Sequence, residues 1–404
     1  MRWSLSAGLN PRPVEIGAMN YFEGTIAKAG SLLLWGLASC GGPNDAPTVG
    51  FGVNLAGAEF GSHGKDFSNE NSGRYGQDYV FPQEETMAYF ARRGLRIIRL
   101  PLSWERLQPI LGAGLDQSYT GRVLEQLDTA AFHGCKVVLD LHNYGRYRLS
   151  DRGRAHEFVL GEPQGGGQGL RAEHLSDLWL RLGAQVREHP ALMAYGLMNE
   201  PHDMGRANWH DTSNQVVRAL RSAQDRTWIW VAGDGWSKAH EWLKHNPKTP
   251  WIKDPLERTA YEAHLYFDRD GSGRYQSTFD QELRMDPNIL LRGSERLEVF
   301  AQWCEQGGVQ GVIGEFGVPW FERRWLPVLD GFLDRAKENQ MTAVAWAGGD
   351  WWGEYPLSLQ PRNDQDVGPL VAILRAAPRL SLSGSLRVGV PAVQFAGPTI
   401  SPRR

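Results

Sequence analysis

The sequence lacks the features that mark several large classes of protein. Its 404 residues include only three cysteines, and none of them has the CxxC spacing of a metal or redox centre. Cys135 and Cys304 lie beside or within apolar patterns, so we expect buried free thiols there. Charge is nearly balanced, with 43 basic and 46 acidic residues, and no basic stretch is long enough to suggest nucleic acid. These absences argue against metal-binding, redox and nucleic-acid-binding functions.

The first part of the chain carries one leucine-rich apolar segment, Ala29–Ser39, which is too short to span a membrane. It ends in a small-residue box directly before Cys40, as in a bacterial lipoprotein signal, with Met19 as the true start and Lys28 as a thin positive region. This interpretation makes Cys40 a lipidation site and attaches the mature protein to the cell envelope. The alternative is a leader in which Cys40 is incidental.

Aromatic residues, by contrast, are plentiful. The chain has 16 Trp, 12 Tyr and 15 Phe, and this number of Trp is high for a soluble protein of this size. Some of these rings must fill the core. Others suit the stacking of sugar rings, whose C–H faces pack on aromatic faces.

From residue 49 onward, short apolar segments alternate with amphipathic helical patterns. Eight strands are predicted, at Gly50–Leu55, Arg96–Leu100, Lys136–Leu141, Met193–Met198, Trp228–Ala232, Ala260–Leu265, Val309–Gly314 and Thr342–Trp346. The helical patterns include Gln83–Arg93, Gly121–His133, Ala172–Glu188, Trp209–Asp225, Gly293–Gln306 and Arg324–Asn339. Strands that alternate with helices predict a parallel sheet, and eight in one run favour a (β/α)8 TIM barrel of the α/β class over an open sheet.

The sequence divides into three regions: leader and linker at 1–48, a single barrel domain at 49–377, and a tail at 378–404 without clear periodicity. The tail is either disordered or an added packed segment. Long loops follow the first, third and sixth predicted strands, at Glu59–Phe81, Asn143–Leu170 and Phe267–Asn288. All three would therefore decorate the C-terminal face of the barrel, where long loops either build a cleft or are flexible insertions.

Two glutamates stand at strand ends. Glu200, followed by Pro201, comes directly after an apolar run, and such a pair cannot lie in the middle of a sheet ladder. Glu315 ends a second apolar run, at residues 311–314. An isolated glutamate of this kind is more often an N-cap or an ion-pair partner. Two of them at the catalytic face of one barrel suggest paired-carboxylate chemistry, of which glycoside hydrolysis is the leading example.

The other strand ends strengthen this interpretation. They carry polar or aromatic residues where a mere core would have Val, Ile or Leu: Arg99, His142, Asn199, His264, Tyr266 and Trp346. In a barrel all of these side chains converge on one cavity.

This set of strand ends resembles glycoside hydrolase family 5 over roughly Val49 to Arg375. The segments from His142 to Tyr147 and from Asn199 to His202 are most similar to its bacterial and fungal endo-β-1,4-glucanase branch. The resemblance implies a retaining endo-β-1,4-glucanase, or cellulase, that is secreted or anchored to the cell envelope. It implies a β-glucan substrate and no cofactor or metal, since two carboxylates suffice, and we expect a monomer.

The resemblance also implies a role for each matching residue. Glu200 matches the acid/base and Glu315 the nucleophile. The supporting positions are Arg99 beside the nucleophile, His142 and Asn199 beside the sugar, His264 and Tyr266 against the two glutamates, and Trp346 beneath the sugar. These roles agree with chemistry, since a fixed cation lowers the pKa of a nucleophilic carboxyl and a general acid needs a raised one.

Several neighbouring residues have plainer interpretations. We expect Glu262 and Asp140 to be buried structural carboxylates, with Asp140 linked to Arg99. His202 and Asp203 have no credible metal-site spacing. Four tryptophans could be either sugar platforms or structural anchors: Trp104, Trp236, Trp351 and Trp352.

Two alternatives to a β-1,4-glucanase remain open at this point. The same mechanism could act on another β-glycan, such as mannan, xyloglucan or mixed-linkage glucan, because a fold does not fix its substrate. A non-catalytic carbohydrate-binding barrel is the other, and it is disfavoured because Glu200, Glu315 and Arg99 are all present.

The interpretation of Cys40 can be tested directly in the native host. If Cys40 is lipidated, the mature protein begins there and partitions into detergent, and Cys40→Ala releases it from membranes. Mass spectrometry that finds an intact, unmodified peptide across Ser39 and Cys40 would contradict lipidation.

Overall fold

The structure is a computed structural model that describes residues 49–162, 169–205 and 208–377. Cys40 and the segments assigned above to leader and tail lie outside the described residues. The strands are β1 (Phe51–Leu55), β2 (Ile97–Leu102), β3 (Lys136–Leu141), β4 (Arg146–Asp151), β5 (Arg154–Val159), β6 (Leu192–Gly196), β7 (Trp228–Ala232), β8 (Thr259–Tyr266), β9 (Gln310–Gly317) and β10 (Thr342–Gly348).

Eight of these strands form a closed parallel barrel in the order β1-β2-β3-β6-β7-β8-β9-β10, with β10 paired to β1. The (β/α)8 barrel is therefore confirmed, and all eight predicted strands are present. The peptide bond between Trp346 and Ala347, in the last strand, is cis.

Helices connect the strands. The α-helices are α1 (Glu84–Arg92), α2 (Trp104–Leu107), α3 (Gln117–Phe132), α4 (Ala172–Val186), α5 (Trp209–Ser222), α6 (Trp242–His245), α7 (Phe279–Met285), α8 (Arg292–Gly307), α9 (Leu326–Glu338) and α10 (Gly368–Ala376). Short 3-10 turns occupy Ala239–Glu241, Ile289–Leu291 and Arg323–Trp325. Within the described ranges, no helix is long and apolar enough to cross a membrane.

Local sequence accounts for several helix boundaries. The Asp116 side chain accepts a hydrogen bond from the Tyr119 N–H at the start of α3, as an N-cap does. Thr278 and Gln281 form a capping box at the start of α7. Gly308, with a φ of 62°, ends α8 in the left-handed conformation that glycine adopts without strain.

Two of the three predicted loops contain regular structure. Within Asn143–Leu170, β4 and β5 form an antiparallel hairpin, and within Phe267–Asn288 lies α7. The hairpin forms because apolar residues alternate along β4: Tyr147 is buried and Leu149 packs against the core. Arg152 and Gly153, with φ values of 51° and 78°, make the tight turn. The hairpin, α7 and α10 were not predicted from the sequence.

The barrel interior is layered because successive residues of a strand point to opposite faces. Seven of the eight barrel strands contribute one residue each to a separate buried apolar cluster: Ile97, Val138, Ala194, Trp230, Ala260, Val312 and Val344. The larger core contains apolar residues from both the strands and the helices, and Cys135 and Cys304 are buried there as free thiols, as predicted. Two positions further along three strands stand Arg99, Asp140 and Glu262, so the next layer is charged.

Candidate active site

Above this apolar layer, the carboxyl ends of six barrel strands bring together all eight side chains that the sequence singled out in the barrel. Arg99 lies in β2, and His142 follows β3. Asn199 and Glu200 follow β6, and the remaining four are in β8, β9 and β10: His264, Tyr266, Glu315 and Trp346. Glu200 is partly exposed, whereas the others are buried.

The two glutamates face each other. One carboxylate oxygen of Glu200, one of Glu315 and one ring nitrogen of His264 all lie within 4.8 Å of one another. His264 Nδ1 is 2.7 Å from Glu200 Oε1 and 3.6 Å from Glu315 Oε2. The Tyr266 hydroxyl donates to Glu315 Oε2 at 2.8 Å. The expected contacts of His264 and Tyr266 with the two glutamates are therefore present.

Arg99 is the centre of the charged layer and has no exposed surface. Its guanidinium lies 2.9 Å from Glu262, 3.0 Å from Asp140 and 3.2 Å from Glu315 Oε1. It also donates to Asn54 Oδ1 at 2.9 Å and to Asn199 Oδ1 at 2.7 Å. One fixed cation thus orients one of the paired glutamates and the asparagine that precedes the other.

Glu262 and Asp140 are the buried structural carboxylates that the sequence suggested. Glycine creates the space for Glu262, because a Cβ at Gly314 would lie 1.8 Å from Glu262 Oε1. Gly196 has a similar relation to Asp140, with a distance of 3.3 Å from its ideal Cβ to Oδ1. Any larger residue at position 314 would displace a partner of Arg99.

The charged side chains of this cluster shift one another's pKa values. Burial opposes protonation of His264, but the carboxylates of Glu315, Glu200 and Glu262 outweigh it and raise its pKa to about 10. His264 is therefore a second cation at neutral pH. Burial also raises the pKa of Asp140 to about 7, although Arg99 opposes this.

The pKa of Glu315 differs from the expectation. Burial is the largest influence and raises it, as does the charge of Glu200, while His264 and Arg99 only limit the rise. The lowered pKa that Arg99 alone would produce is therefore not found. Because the two cations oppose the effect of burial, loss of either one would raise the pKa further.

His142 completes the floor of the site. Asp140 Oδ2 lies 2.8 Å from its Nδ1, and its ring stacks on Trp346 with centroids 5.3 Å apart and planes 12° apart. Burial lowers the pKa of His142 to about 3, so the ring is neutral at pH 7. Its Nε2 is 3.4 Å from Asn199 Nδ2, so the Asn199 amide lies beside the His142 ring.

The backbone at Glu200 is strained, with a φ of 40° in the left-handed region. Such a conformation costs about 1–3 kcal/mol at a residue that is not glycine, and it persists where the surroundings impose it. The N–H of the preceding Asn199 donates to the Leu141 carbonyl at 2.7 Å, and the Pro201 carbonyl accepts from the Trp236 N–H at 3.2 Å. Both neighbours of Glu200 are thus tied to adjacent loops.

A cleft of about 310 Å³ opens beside Glu200. Its walls come from α2, from the β4–β5 hairpin and from the loops after β1, β3, β6 and β7: Ser62, His63, Phe67, Glu105, His142, Asn143, Tyr144, Arg146, Arg148, Glu157, His202 and Trp236. Sequence analysis missed the contribution of the hairpin. The alternating pattern of β4, followed by a turn at Arg152 and Gly153, was the signal that could have revealed it.

The four tryptophans that could be either sugar platforms or structural anchors differ in exposure. Trp104 is fully buried and belongs to the core, and Trp352 anchors its loop by donating to the Gly348 carbonyl at 3.0 Å. Trp236 is 40% exposed, lines the cleft, and stacks on His202 with ring centroids 3.3 Å apart. Trp351 is 41% exposed.

Comparison with known proteins agrees with this geometry. The profile of the family described as Cellulase (glycosyl hydrolase family 5) matches residues 53–352. Endo-beta-1,4-glucanase B of Emericella nidulans is 28% identical over 330 residues, which are 81% of this chain and 90% of that protein.

Solved structures agree as well. The Pseudomonas stutzeri endoglucanase Cel5A is 33% identical, with a TM-score of 0.71, and the match covers 82% of this chain and 94% of that one. An endo-beta-1,4-glucanase from Xanthomonas axonopodis pv. citri is 29% identical, with a TM-score of 0.68 and coverage of 81% and 99%. A family profile that spans most of the chain, on a barrel with two facing strand-end glutamates, places the protein in glycosyl hydrolase family 5, the cellulase family, as a glycoside hydrolase.

Proposed function

We propose that this glycoside hydrolase is a retaining endo-β-1,4-glucanase, with Glu200 as acid/base and Glu315 as nucleophile. The observation that carries the proposal is the approach of one oxygen from each carboxylate to within 4.8 Å. Retaining enzymes hold their carboxyl groups ~5–5.5 Å apart, whereas inverting enzymes need ~6.5–9.5 Å to admit a water molecule between sugar and base. The short separation supports a double displacement.

Contacts around the glutamates support the assignment of their roles. Glu315 has one oxygen near Arg99 and the other bonded to Tyr266, so both oxygens are fixed as in-line attack requires. Glu200 is partly exposed, and among the described residues its carboxylate has only His264 as a side-chain hydrogen-bond partner, which leaves it accessible to a glycosidic oxygen. After proton donation, the same carboxylate can activate water for the second step.

The surrounding side chains suit a sugar beside the cleaved bond. The ring of Trp346, backed by His142, offers a face for the sugar, and Asn199 offers its amide to the 2-hydroxyl. Exposed Trp236 offers a second face further along the cleft. Since Glu200 lines this part of the cleft, Trp236 lies on the leaving-group side.

The substrate is proposed from the relatives. Several are named endo-beta-1,4-glucanase, and the Pseudomonas stutzeri enzyme has been solved with cellobiose. β-Mannan, xyloglucan and mixed-linkage glucan remain alternative substrates for the same machinery. A polymeric substrate also fits the secreted or envelope-anchored location expected from the leader, with a monomer as the acting unit.

The function is tested by a panel of soluble polysaccharides. We expect wild-type enzyme to cleave carboxymethyl-cellulose faster than mannan or xyloglucan, with a rapid fall in viscosity that indicates internal cuts. Glu315→Gln should lower this activity on the order of 10³-fold or more, because it removes the nucleophile and keeps the shape. Excess chelator should leave the wild-type rate unchanged. Faster cleavage of another polysaccharide would change the substrate, and an active Glu315→Gln variant would contradict the mechanism.

The role of Arg99 predicts a pH effect. Glu315 must be ionised to attack, and Arg99 favours the ionised form, so Arg99→Ala raises the pKa of Glu315 further. A larger fraction is then protonated at low pH, and the acidic limb of kcat/KM moves to higher pH by about one unit or more. Arg99→Lys keeps a charge and should move the limb less. An unchanged profile in folded Arg99→Ala would remove Arg99 from the site.

The separate roles of the glutamates can be resolved with an aryl glycoside whose good leaving group needs little protonation. Glu200→Ala should still form the glycosyl-enzyme and then stall, because the second step needs the same residue as base. Azide needs no base, so it should rescue this variant and give a β-glycosyl azide. Glu315→Ala cannot form the intermediate, and azide can give only the α-product by direct attack. The opposite pattern of products would reverse the two assignments.

A further inference from the structure

Tyr144 lines the cleft, but the chemistry proposed above does not use it. It follows β3 and lines the same space as Glu200 and Trp236. Its ring centroid is 5.3 Å from those of both His63 and His142, and 6.1 Å from that of Trp236. Tyr144 therefore stands between the floor of the site at His142 and the exposed platform at Trp236.

This position belongs to the leaving-group side of the cleft. Glu200, the proposed proton donor, must face the glycosidic oxygen that departs with the leaving sugar. Glu200 lines one cleft with Tyr144 and Trp236, and residues of the loop after β1 and of the β4–β5 hairpin line it as well. A sugar bonded through that oxygen would lie against the Tyr144 side chain.

The backbone of Tyr144 is held in a strained conformation. Its φ is 56°, a genuine outlier for a bulky side chain. The guanidinium of Arg146 donates to the Tyr144 carbonyl and, at 2.6 Å, to the His202 carbonyl in the loop after Glu200. Arg146 thus ties the Tyr144 loop to the Glu200 loop. Strain that the surroundings impose in this way is typical of residues that are pre-positioned for a ligand.

The hydroxyl group of Tyr144 distinguishes it from a residue that only fills space in the core. Buried tyrosines usually find a hydrogen-bond partner for the hydroxyl. Tyr144 is instead partly exposed, and among the described residues its hydroxyl forms no hydrogen bond, so it can bond a ligand. Tyr147, three residues later, is such a structural tyrosine, since its hydroxyl donates to the Gln108 carbonyl at 2.8 Å. Burial, together with the charges of Glu200 and Glu315, raises the pKa of Tyr144 well above its ordinary value, so the hydroxyl keeps its proton to donate.

We propose that Tyr144 is a specificity-determining residue that hydrogen-bonds the sugar on the leaving-group side and favours a sugar over water as the acceptor there. The inference rests on the proposed double displacement, because a glycosyl-enzyme that awaits an acceptor exists only in that mechanism. When a sugar hydroxyl attacks this intermediate, the bond from the anomeric carbon to Glu315 breaks, a new glycosidic bond forms, and Glu200 takes the hydroxyl proton. This is the reverse of the first step, and it equals the second step with a sugar in place of water.

The test uses 2,4-dinitrophenyl β-cellobioside as donor and cellobiose as acceptor. The variants are Tyr144→Phe and Tyr144→Ala, with Tyr147→Phe as the matched structural control. The kcat/KM for dinitrophenol release measures the first step, which needs little proton donation when dinitrophenol is the leaving group. The ratio of transfer product to hydrolysis product measures how the intermediate divides between sugar and water, and it does not depend on the amount of folded enzyme.

Tyr144→Phe should lower the ratio about fivefold, as expected for one lost hydrogen bond, and Tyr144→Ala should lower it further. The kcat/KM for dinitrophenol release should fall by a smaller factor than the ratio in Tyr144→Phe, because dinitrophenol offers no sugar hydroxyl to Tyr144, and Tyr147→Phe should keep the wild-type ratio. An unchanged ratio in both Tyr144 variants would overturn the proposal. So would wild-type enzyme that releases dinitrophenol and forms no transfer product. Wild-type enzyme that releases no dinitrophenol would instead contradict the proposed function.

Discussion

The fully buried guanidinium of Arg99 is the constraint on which the rest of the site depends. It lies within 3.2 Å of Asp140, Glu262 and Glu315, and it donates a hydrogen bond to Asn199 Oδ1 at 2.7 Å. Removing one partner of a buried ion pair typically costs about 3–5 kcal/mol, because the remaining charge is left without compensation. The same ion that makes three buried carboxylates tolerable also sets the direction of the proposed nucleophile. Stability and chemistry cannot be separated at this position.

The charge of Arg99 alone does not neutralise the carboxylates of the cluster, and the excess negative charge shifts the pKa values of its members. Arg99 and protonated His264 face four carboxylates: Asp140, Glu200, Glu262 and Glu315. The excess negative charge holds the proton on His264, with a pKa of about 10, and contributes to the raised pKa of Glu315. The proton held on His264 keeps a second cation between the two glutamates, where it opposes the effect of burial on Glu315. Loss of a cation and loss of a carboxylate should therefore shift the pH dependence in opposite directions.

Much of this site could be predicted from the sequence because a strand alternates with period two. Polar residues such as Arg99, His142 and His264 at positions that would otherwise be apolar mark the inner face of a barrel, and parallel strands bring their carboxyl ends together. The hairpin at 146–159 was missed because its four arginines conceal an alternation carried by Tyr147 and Leu149. The position of Tyr144 could not be predicted, since it depends on a positive φ and on a contact with Arg146 at the start of β4, which also binds the His202 carbonyl.

The charged layer also depends on residues that contribute no chemistry. A carboxylate of the size of Glu262 fits inside a barrel only where a neighbouring strand has no side chain, and Gly314 provides that space. Below it, the apolar layer from seven strands fills the barrel and excludes water, which strengthens every charge interaction above. Glu315 follows Gly314 directly, so the strand that carries the proposed nucleophile also supplies the space for the carboxylate that pairs with Arg99. The sequence Gly-Glu at the end of β9 is thus one structural unit, in which the glycine positions Arg99 and Arg99 positions the glutamate.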